Sequence, residues 1–567
     1  MRPAAALVPL AALLAAVTGV ALFALSRPAP PSERKVKLAV LVVFDQMRGD
    51  YLERWHPLFG PDGFARLQRD GAWFTRCHYP YGTTTTGPGH ASMLTGACAD
   101  VHGIVNNDWM EKGNKVYCAG PARYRLVPSS PGAGDKPTSV GAPGLLLSET
   151  VADVLKEASR GRAKVFGLSL KDRSAVLPVG KRPDGAYWFN GAFVTSTYYS
   201  DRVHPWVAAF NTSKTADRWF GTDWTRFRTD FDYAPWSGPD DAFGEGKGHG
   251  QGVAFPHPTT GGKGPLGPKY YEALSYSPYG NDLLLEFTKA CIRAEKLGTR
   301  DDPDLLVVSF SSNDLIGHTW GPDSQEVLDV TLRSDALMAD LLAYLDRRVG
   351  RDRYLLAVTA DHGVCPLPEA SRAKGIAGAQ RVNLVELQKA LEAHLTGAFP
   401  VAMPAGGKAV VWVQEGGFLL PWVYLNPRSV GASGRSREAV AAEAAQFLAT
   451  RTGVSRTFTR TELGGPFPAA DAVATRVKRS FHPARCGDVC VILQPFCIPS
   501  GPLGTGTTHG APHAYDTHVP LLVYGPGIRG GTRDEPTTPQ ALASIFAKWL
   551  NVRRPKDAAF PIPDTLE

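Results

Sequence analysis

Three long apolar runs in this sequence each end in a short polar segment that carries an aspartate. They are Val36–Phe44 before Asp45, Leu305–Phe310 before Asp314, and Tyr354–Thr359 before Asp361. Unbroken runs rich in valine and leucine are typical of strands that are buried on both faces of an α/β sheet. In open sheets of this kind, ligands bind at the edge where the strands end. The pattern therefore predicts an α/β fold in which three carboxylates meet at one edge of the sheet.

Histidines accompany these aspartates on the same predicted loops. The candidate metal ligands are Asp45, Asp314, His318, Asp361, His362 and His509. Zinc accepts carboxylate oxygens and imidazole nitrogens in three-ligand sites that leave one position open for substrate, so six such groups suit two Zn²⁺ ions. Asp314 and His318 would lie one turn apart on a helix and could face the same ion.

Each of these residues, taken alone, has a simpler explanation. An aspartate after a strand is most often a helix cap, and an Asp-His-Gly segment is commonly just a turn. The joint placement of all six groups at one sheet edge favours the metal interpretation.

Four consecutive threonines, Thr83–Thr86, run into the segment Gly87–His90. Pro88 within this segment favours a helix start. A hydroxyl at that point lies beside free backbone amides, which stabilise an alkoxide and an incoming phosphate. A metal ion would lower the pKa of the hydroxyl further. The local sequence fits a simple helix cap equally well, so both interpretations stay open at this point.

The first 32 residues contain a basic start, an apolar run and a proline-rich stretch, which together predict an export signal. The run is close to membrane-spanning length and no clean small-x-small cleavage site follows, so an uncleaved N-terminal membrane anchor is the alternative. Either way, we expect the bulk of the chain to be periplasmic or otherwise exported. Among its eight cysteines, a local bridge between members of the set Cys486, Cys490 and Cys497 is expected.

Composition excludes several broad classes of protein. With 43% hydrophobic and 20% charged residues, the chain is neither disordered nor a polytopic membrane protein. The net charge of +7 is not gathered into a basic stripe, so we expect no nucleic-acid partner. We expect one catalytic domain over 33–550, with an aromatic and glycine-rich lid insertion at 180–290, a small α+β insertion at 400–478, and a C-terminal tail at 551–567.

Four separated blocks together resemble one family. They are the strand that ends in Asp45, Thr86–His90 with His102–Asn107, Asp314–His318 with Asp361 and His362, and Thr508–Gly510. The chain is thereby identified as similar to the alkaline phosphatase superfamily, in the branch of the nucleotide pyrophosphatases/phosphodiesterases and the PafA-like alkaline phosphatases. The resemblance implies a mixed, mainly parallel sheet sandwiched by helices, with two insertions.

The resemblance also implies roles for individual residues. Thr86 matches the family's nucleophilic threonine, and Asn107 matches an asparagine that contacts a phosphoryl oxygen, with Asn106 as the alternative. One zinc would be held by Asp314, His318 and His509, and the other by Asp45, Asp361 and His362. The sulfatase branch does not fit, because Thr86–His90 lacks the cysteine or serine and the Pro-x-Arg motif of that branch.

A fifth block, Ser169–Arg173, resembles the monoesterase branch, in which a lysine and an arginine reach the phosphoryl group. Cationic donors such as Lys171 and Arg173 favour monoesters, because a monoester dianion keeps more charge on its free oxygens than a diester. Taken alone, these two residues would more often be a solvated strand end.

The sequence therefore predicts an alkaline phosphatase, a metal-dependent phosphomonoesterase that acts on small phosphate monoesters through a phosphothreonine intermediate. An exported phosphodiesterase or nucleotide pyrophosphatase is the alternative activity. A non-catalytic, membrane-tethered protein that binds zinc or phosphate is the alternative of a different class. The natural substrate, the oligomeric state and the pairing of the cysteines do not follow from the sequence.

Overall fold

A computed structural model describes residues 36–121, 123–128, 141–401, 410–468, 470–501 and 504–566. The strands, in chain order, are β1 (Leu38–Phe44), β2 (Ala72–Phe74), β3 (Asp108–Glu111), β4 (Asn114–Tyr117), β5 (Leu126–Val127), β6 (Val165–Ser169), β7 (Gly185–Phe189), β8 (Phe193–Ser196), β9 (Asp223–Trp224), β10 (His257–Pro258), β11 (Asp304–Phe310), β12 (Tyr354–Thr359), β13 (Gln380–Val382), β14 (Val413–Leu419), β15 (Trp422–Leu425), β16 (Val454–Thr459), β17 (Val489–Leu493), β18 (Cys497–Pro499), β19 (Leu521–Tyr524) and β20 (Gly531–Arg533).

Ten of the described strands form a central sheet in the order β20-β2-β19-β12-β1-β11-β6-β7-β8-β5. β1 runs parallel to both β11 and β12, and β6 extends this parallel block next to β11. Every residue of β1, β11 and β12 is buried, which explains why these strands read as continuous apolar runs. The predicted α/β class, with a mixed and mainly parallel sheet flanked by helices, is confirmed.

The parallel block brings its polar segments to one edge. In register, Phe44 at the end of β1 pairs with Phe310 at the end of β11, and Val43 pairs with Thr359 at the end of β12. Ser169 at the end of β6 pairs with Ser309, one residue earlier in β11. The segments that follow these strands therefore begin side by side, as expected for the ligand-binding edge of an α/β sheet.

Helices cover the sheet and connect its strands. In chain order they are α1 (Tyr51–Arg54), α2 (Phe64–Asp70), α3 (Thr86–Thr95), α4 (Ala99–His102), α5 (Val151–Ala158), α6 (Asp172–Val176), α7 (Pro205–Thr212), α8 (Ala234–Ser237), α9 (Pro268–Ser275), α10 (Pro278–Glu295), α11 (Ser312–Trp320), α12 (Gln325–Arg348), α13 (Pro368–Ala373), α14 (Leu384–Ala398), α15 (Pro427–Ala432), α16 (Arg437–Ala449), α17 (Arg460–Gly464), α18 (Ala472–Lys478), α19 (Ala514–Thr517) and α20 (Ala541–Trp549). The longest, α12, begins after Ser324, whose side chain accepts a hydrogen bond from the Val327 amide.

A second, smaller sheet lies towards the C-terminal part of the chain, in the order β14-β15-β17-β16. Residues of these strands and of helices α14 and α16 form a separate apolar core around Leu391, Val440 and Leu448. Helix α16 follows Ser436, whose hydroxyl accepts a hydrogen bond from the Ala439 amide. The functional division into a lid insertion, a small insertion and a tail stays a prediction.

The expectation of a cysteine bridge is wrong. All eight cysteines are free and buried, including Cys486, Cys490 and Cys497. They serve as small apolar side chains, since burial raises the pKa of thiols such as Cys486 and keeps them protonated. The predicted export signal or anchor lies outside the described residues. Within the described part of the chain, no helix is long and apolar enough to cross a membrane.

Candidate active site

The predicted metal ligands come together at the carboxyl edge of the parallel block. Two groups of three potential ligand atoms lie within 4.8 Å of one another: Asp314 with His362 and His509, and Asp45 with Asp361 and His362. His318 adjoins the first group, since its Nε2 lies 3.2 Å from Asp314 Oδ1. The structure thus places all six residues in one cluster, with His362 between its two halves.

The first half of the cluster is built on helix α11 and on the loop before α19. Asp314 and His318 stand one turn apart on α11, as their spacing predicted. The His509 ring faces the same carboxylate, with its Nε2 3.7 Å from Asp314 Oδ1. Its ring also stacks on His362, at 3.5 Å between the two ring centroids.

The second half of the cluster is built on the ends of β1 and β12. His362 Nε2 lies 3.6 Å from Asp45 Oδ1 and 3.3 Å from Asp361 Oδ2. Asp45, Asp361 and His362 are all completely buried. Burial first, and then the carboxylates of Asp314 and Asp361, raise the pKa of Asp45 well above its usual value.

The three imidazoles are oriented in the same way. The Nδ1 atoms of His318, His362 and His509 lie 2.7, 2.9 and 2.7 Å from the backbone carbonyls of Thr507, Gly363 and Thr84. A carbonyl can only accept, so each Nδ1 carries a proton, and each Nε2 faces the carboxylates as the nitrogen that can ligate a metal in the neutral ring. This is the arrangement in which metal-binding histidines are usually held.

The donor set fits metal cations. Asp45 Oδ1 is buried and has no hydrogen-bond partner among the described residues. Burial lowers the pKa of His362, and burial together with His362 and His318 lowers that of His509, so both imidazoles are neutral as ligation requires. A buried carboxylate oxygen without a donor, beside neutral imidazole nitrogens, is a favourable environment for a divalent cation.

Thr86 is the first residue of helix α3, next to this cluster. Its side chain is 1% exposed. Its Oγ1 lies 3.5 Å from His362 Nε2 and 3.5 Å from Arg173 Nη2. The other threonines of the run have different contacts: Thr84 Oγ1 donates to the Ala511 carbonyl and Thr85 Oγ1 donates to Asn106 Oδ1. Thr86 is therefore the threonine whose hydroxyl lies between potential metal ligands and a cationic side chain.

His90 connects helix α3 to the second half of the cluster, a contact that the sequence did not reveal. Its Nδ1 lies 3.0 Å from the Thr86 carbonyl and 3.2 Å from Asp361 Oδ2, and its Nε2 lies 2.8 Å from Ser309 Oγ. Gly89 permits this close packing, because a Cβ at that position would lie 2.3 Å from the Asp361 carbonyl oxygen. The start of α3 is thus fixed against β12.

The two candidate asparagines have different surroundings. Asn106 is bonded at both ends of its amide, since Oδ1 accepts from Thr85 Oγ1 and Nδ2 donates to the Leu420 carbonyl. Asn107 Oδ1 accepts from the Gly87 amide at 2.7 Å, close to the start of helix α3. With Oδ1 held in this way, the Nδ2 donor group of Asn107 remains for another acceptor.

Lys171 and Arg173 approach the cluster from the end of β6. Lys171 Nζ lies 2.7 Å from Asp45 Oδ2 and 2.5 Å from Asp314 Oδ2, so it contacts both halves of the cluster. Neither side chain is solvated, although the local sequence alone would allow that. The Lys171 side chain is 11% exposed, and the Arg173 guanidinium contacts Thr86.

Two further residues hold Arg173. Its Nη1 donates to the Tyr117 hydroxyl at 3.2 Å, and that hydroxyl donates to Asp172 Oδ1 at 2.7 Å. Asp172 lies between the two cationic residues in sequence, but Tyr117 comes from the β3–β4 hairpin. No pattern in the sequence indicated the contribution of Tyr117.

Known proteins resemble this chain over most of its length. Residues 39–502 match the family model described as type I phosphodiesterase / nucleotide pyrophosphatase. The chain belongs to this family. The alkaline phosphatase PhoV of Synechococcus elongatus is 31% identical to this chain, over 93% of this chain and 92% of its own length. The alkaline phosphatase PafA of Elizabethkingia meningoseptica is 31% identical over 92% of this chain and 93% of its own length.

The structural comparison agrees with the sequence comparisons. The crystal structure of wild-type PafA alkaline phosphatase superposes with a TM-score of 0.84 at 30% identity, covering 95% of this chain and 99% of the other. The resemblance to PafA-like alkaline phosphatases within the type I phosphodiesterase family is therefore confirmed. So is the predicted enzyme class, a phosphoric monoester hydrolase.

Proposed function

We propose that this monoester hydrolase transfers the phosphoryl group first to Thr86 and then to water, with two zinc ions in its active site. The observation that carries the proposal is the position of Thr86 Oγ1, 3.5 Å from both His362 Nε2 and Arg173 Nη2. A hydroxyl there lies at the start of a helix, where backbone amides favour negative charge.

The residues that would hold the metals follow from the cluster. Asp314, His318 and His509 would hold one ion, and Asp45, Asp361 and His362 the other. The unpartnered Oδ1 of Asp45 and the common orientation of the imidazoles support this assignment. When bound, zinc supplies Lewis acidity, which lowers the pKa of a coordinated hydroxyl and neutralises charge on a leaving oxygen.

The protein's own residues account for the rest of the first step. Thr86 gives up its hydroxyl proton to solvent and Oγ1 forms a bond to phosphorus while the bond from phosphorus to the ester oxygen breaks. The ester oxygen takes up a proton from solvent, so the step gives phosphothreonine and releases an alcohol. Arg173 can bind two phosphoryl oxygens at once, and Lys171 acts as a point charge. The Asn107 amide donates to a third oxygen from beside the Gly87 amide. Tyr117 and Asp172 keep the guanidinium in place.

The second step restores the enzyme. A water molecule loses a proton to solvent as it attacks the phosphorus of phosphothreonine, and the bond to Thr86 Oγ1 breaks. Oγ1 takes up a proton and inorganic phosphate leaves. The same three donors hold the phosphoryl oxygens in both steps, because the phosphoryl group stays between Thr86 and the cationic side chains.

The preference for monoesters depends on charge. A monoester dianion presents more negative charge to Lys171 and Arg173 than a diester does, so these residues stabilise its transition state more strongly. The family also includes phosphodiesterases, which makes diester hydrolysis the competing activity. We further propose an exported location, small phosphate monoesters as substrates, and no nucleic-acid partner, on the basis of the N-terminal run and the dispersed charge.

One paired assay tests the proposal. Purified protein with a measured zinc content is compared on an aryl phosphate monoester and on a bis-aryl phosphodiester. We expect faster hydrolysis of the monoester, loss of both activities after chelation, and recovery with zinc. Faster hydrolysis of the diester would favour the phosphodiesterase alternative. Zinc binding without turnover of either substrate would favour the non-catalytic one.

A further inference from the structure

Gln46, directly after the candidate ligand Asp45, has a backbone conformation that glutamine rarely adopts. Its φ of 70° lies in the left-handed region. Seven described non-glycine residues have a positive φ, and Gln46 is the buried one among them, at 3% exposure. Strained conformations of this kind persist only where the surrounding structure holds them in place, and they cluster at functional sites.

Gln46 bonds to both halves of the ligand cluster. Its backbone amide donates to Asp361 Oδ1 at 3.1 Å, and its side-chain Nε2 donates to Asp314 Oδ1 at 2.8 Å. These carboxylates lie beyond the ends of different strands: Asp361 follows β12, and Asp314 lies on helix α11 after β11, on opposite sides of β1. The left-handed turn lets one residue bond to both carboxylates, because its backbone amide faces the segment after β12 while its side chain reaches helix α11.

Gly317 supplies independent support, because it makes room for the Gln46 side chain. A Cβ at position 317 would lie 2.0 Å from Gln46 Oε1. Gly317 stands inside helix α11, between Asp314 and His318, where glycine is unfavourable and alanine would strengthen the helix. The helix that carries two candidate ligands therefore contains a glycine whose absent side chain leaves space for the amide.

We infer that Gln46 is a positioning residue that sets the relative placement of the Asp314 and Asp361 carboxylates for metal binding. Its amide is neutral, so it orients a carboxylate oxygen without supplying a charge that would compete with the cation. Hydrogen bonds to ligating carboxylates typically change metal affinity by about tenfold to hundredfold. This inference rests on the proposed metal site.

The test uses Gln46→Gly in the full-length protein. Glycine accepts the left-handed backbone conformation and keeps the hydrogen bond from the backbone amide to Asp361. It removes the hydrogen bond from the side chain to Asp314. We expect zinc affinity, measured by competition with a chromophoric chelator, to fall by about tenfold to hundredfold. Glycine relieves the strained backbone at this position, which offsets the lost side-chain contacts, so the melting temperature of the metal-free variant should change little. Lys112→Gly is the matched control, because Lys112 also has a positive φ but is exposed in the β3–β4 hairpin.

A double-mutant cycle with Gly317→Ala separates positioning from a general effect on folding. In the wild-type background the new methyl group displaces the side-chain amide of Gln46, so zinc affinity should fall. In the Gln46→Gly background there is no amide to displace, so Gly317→Ala should have little further effect. Unchanged zinc affinity in Gln46→Gly would overturn the inference, as would equal losses from Gly317→Ala in both backgrounds. A wild-type protein that binds no zinc would instead refute the proposed metal site.

Discussion

Replacing Arg173 by alanine should slow hydrolysis of a phosphate monoester far more than hydrolysis of a diester. Each hydrogen bond to a charged group contributes about 1.5–3 kcal/mol. Arg173 lies 3.5 Å from Thr86 Oγ1, close enough to bind oxygens of a phosphoryl group attacked by that hydroxyl. The loss of two such bonds, about 3 kcal/mol at the lower limit, lowers kcat/KM by about 100-fold. A diester carries less charge there, and we expect a loss of about tenfold.

Tyr117→Phe provides a milder version of the same perturbation. The guanidinium keeps its charge but loses its hydrogen bond to the Tyr117 hydroxyl, 3.2 Å away. We expect a decrease of about tenfold on the monoester, since one hydrogen bond to a charged group is removed.

The assay is kcat/KM for both variants on an aryl monoester and a bis-aryl diester. Arg162→Ala is the control. Arg162 is an exposed arginine that forms an ion pair with Asp302. It precedes the first residue of β6, whereas Arg173 follows the last, so it lies at the opposite edge of the sheet. Equal losses on the two substrates would show that Arg173 supports the fold rather than the phosphoryl group, and would refute the charge argument.

Three other results are expected. Asn107→Ala should lower kcat/KM strongly and the melting temperature only slightly, since it removes one hydrogen bond to the Gly87 amide. Asn106→Ala breaks bonds at both ends of its side-chain amide and should lower the melting temperature more; a larger loss of kcat/KM in Asn106→Ala than in Asn107→Ala would exchange their roles. Burial and the nearby Glu326 raise the pKa of Glu245 to about 9, from 4.5 in an exposed carboxyl. Between these two pKa values the folded state holds a proton that the unfolded state releases. The free energy of unfolding therefore falls as the pH rises from 4.5 towards about 9. Glu245→Gln should therefore raise the melting temperature at pH 8 but not near pH 4, and an equal shift at both would contradict this. Thr86→Ala should abolish turnover and retain zinc, and retained turnover would exclude Thr86 as the nucleophile.

The sheet and its ligand edge could be predicted from the sequence because both leave strong local signals. Strand β12 matches its apolar run, Tyr354–Thr359, and β1 and β11 differ from theirs by one or two residues. Parallel strands in one sheet bring their carboxyl ends together, so Asp45, Asp314 and Asp361 had to approach one another once the sheet was assumed.

Other features depend on contacts between distant parts of the chain. Tyr117 reaches Arg173 from a hairpin 56 residues earlier in the sequence, and no periodicity indicates such a contact. The left-handed turn at Gln46 lacks the glycine or asparagine that normally marks one. The cysteine bridge was predicted from short spacing and an apparent export signal, but spacing does not show where side chains point. Cys486 instead receives a hydrogen bond from the His482 backbone amide.

Trapping the phosphorylated enzyme tests the central claim most directly. The protein is mixed with an aryl phosphate, quenched in acid within the first turnovers, digested and mapped by mass spectrometry. The proposed mechanism predicts a phosphopeptide in which the phosphate is on Thr86. Phosphate on Thr83, Thr84 or Thr85, or full turnover with no phosphorylated residue at any quench time, would contradict it.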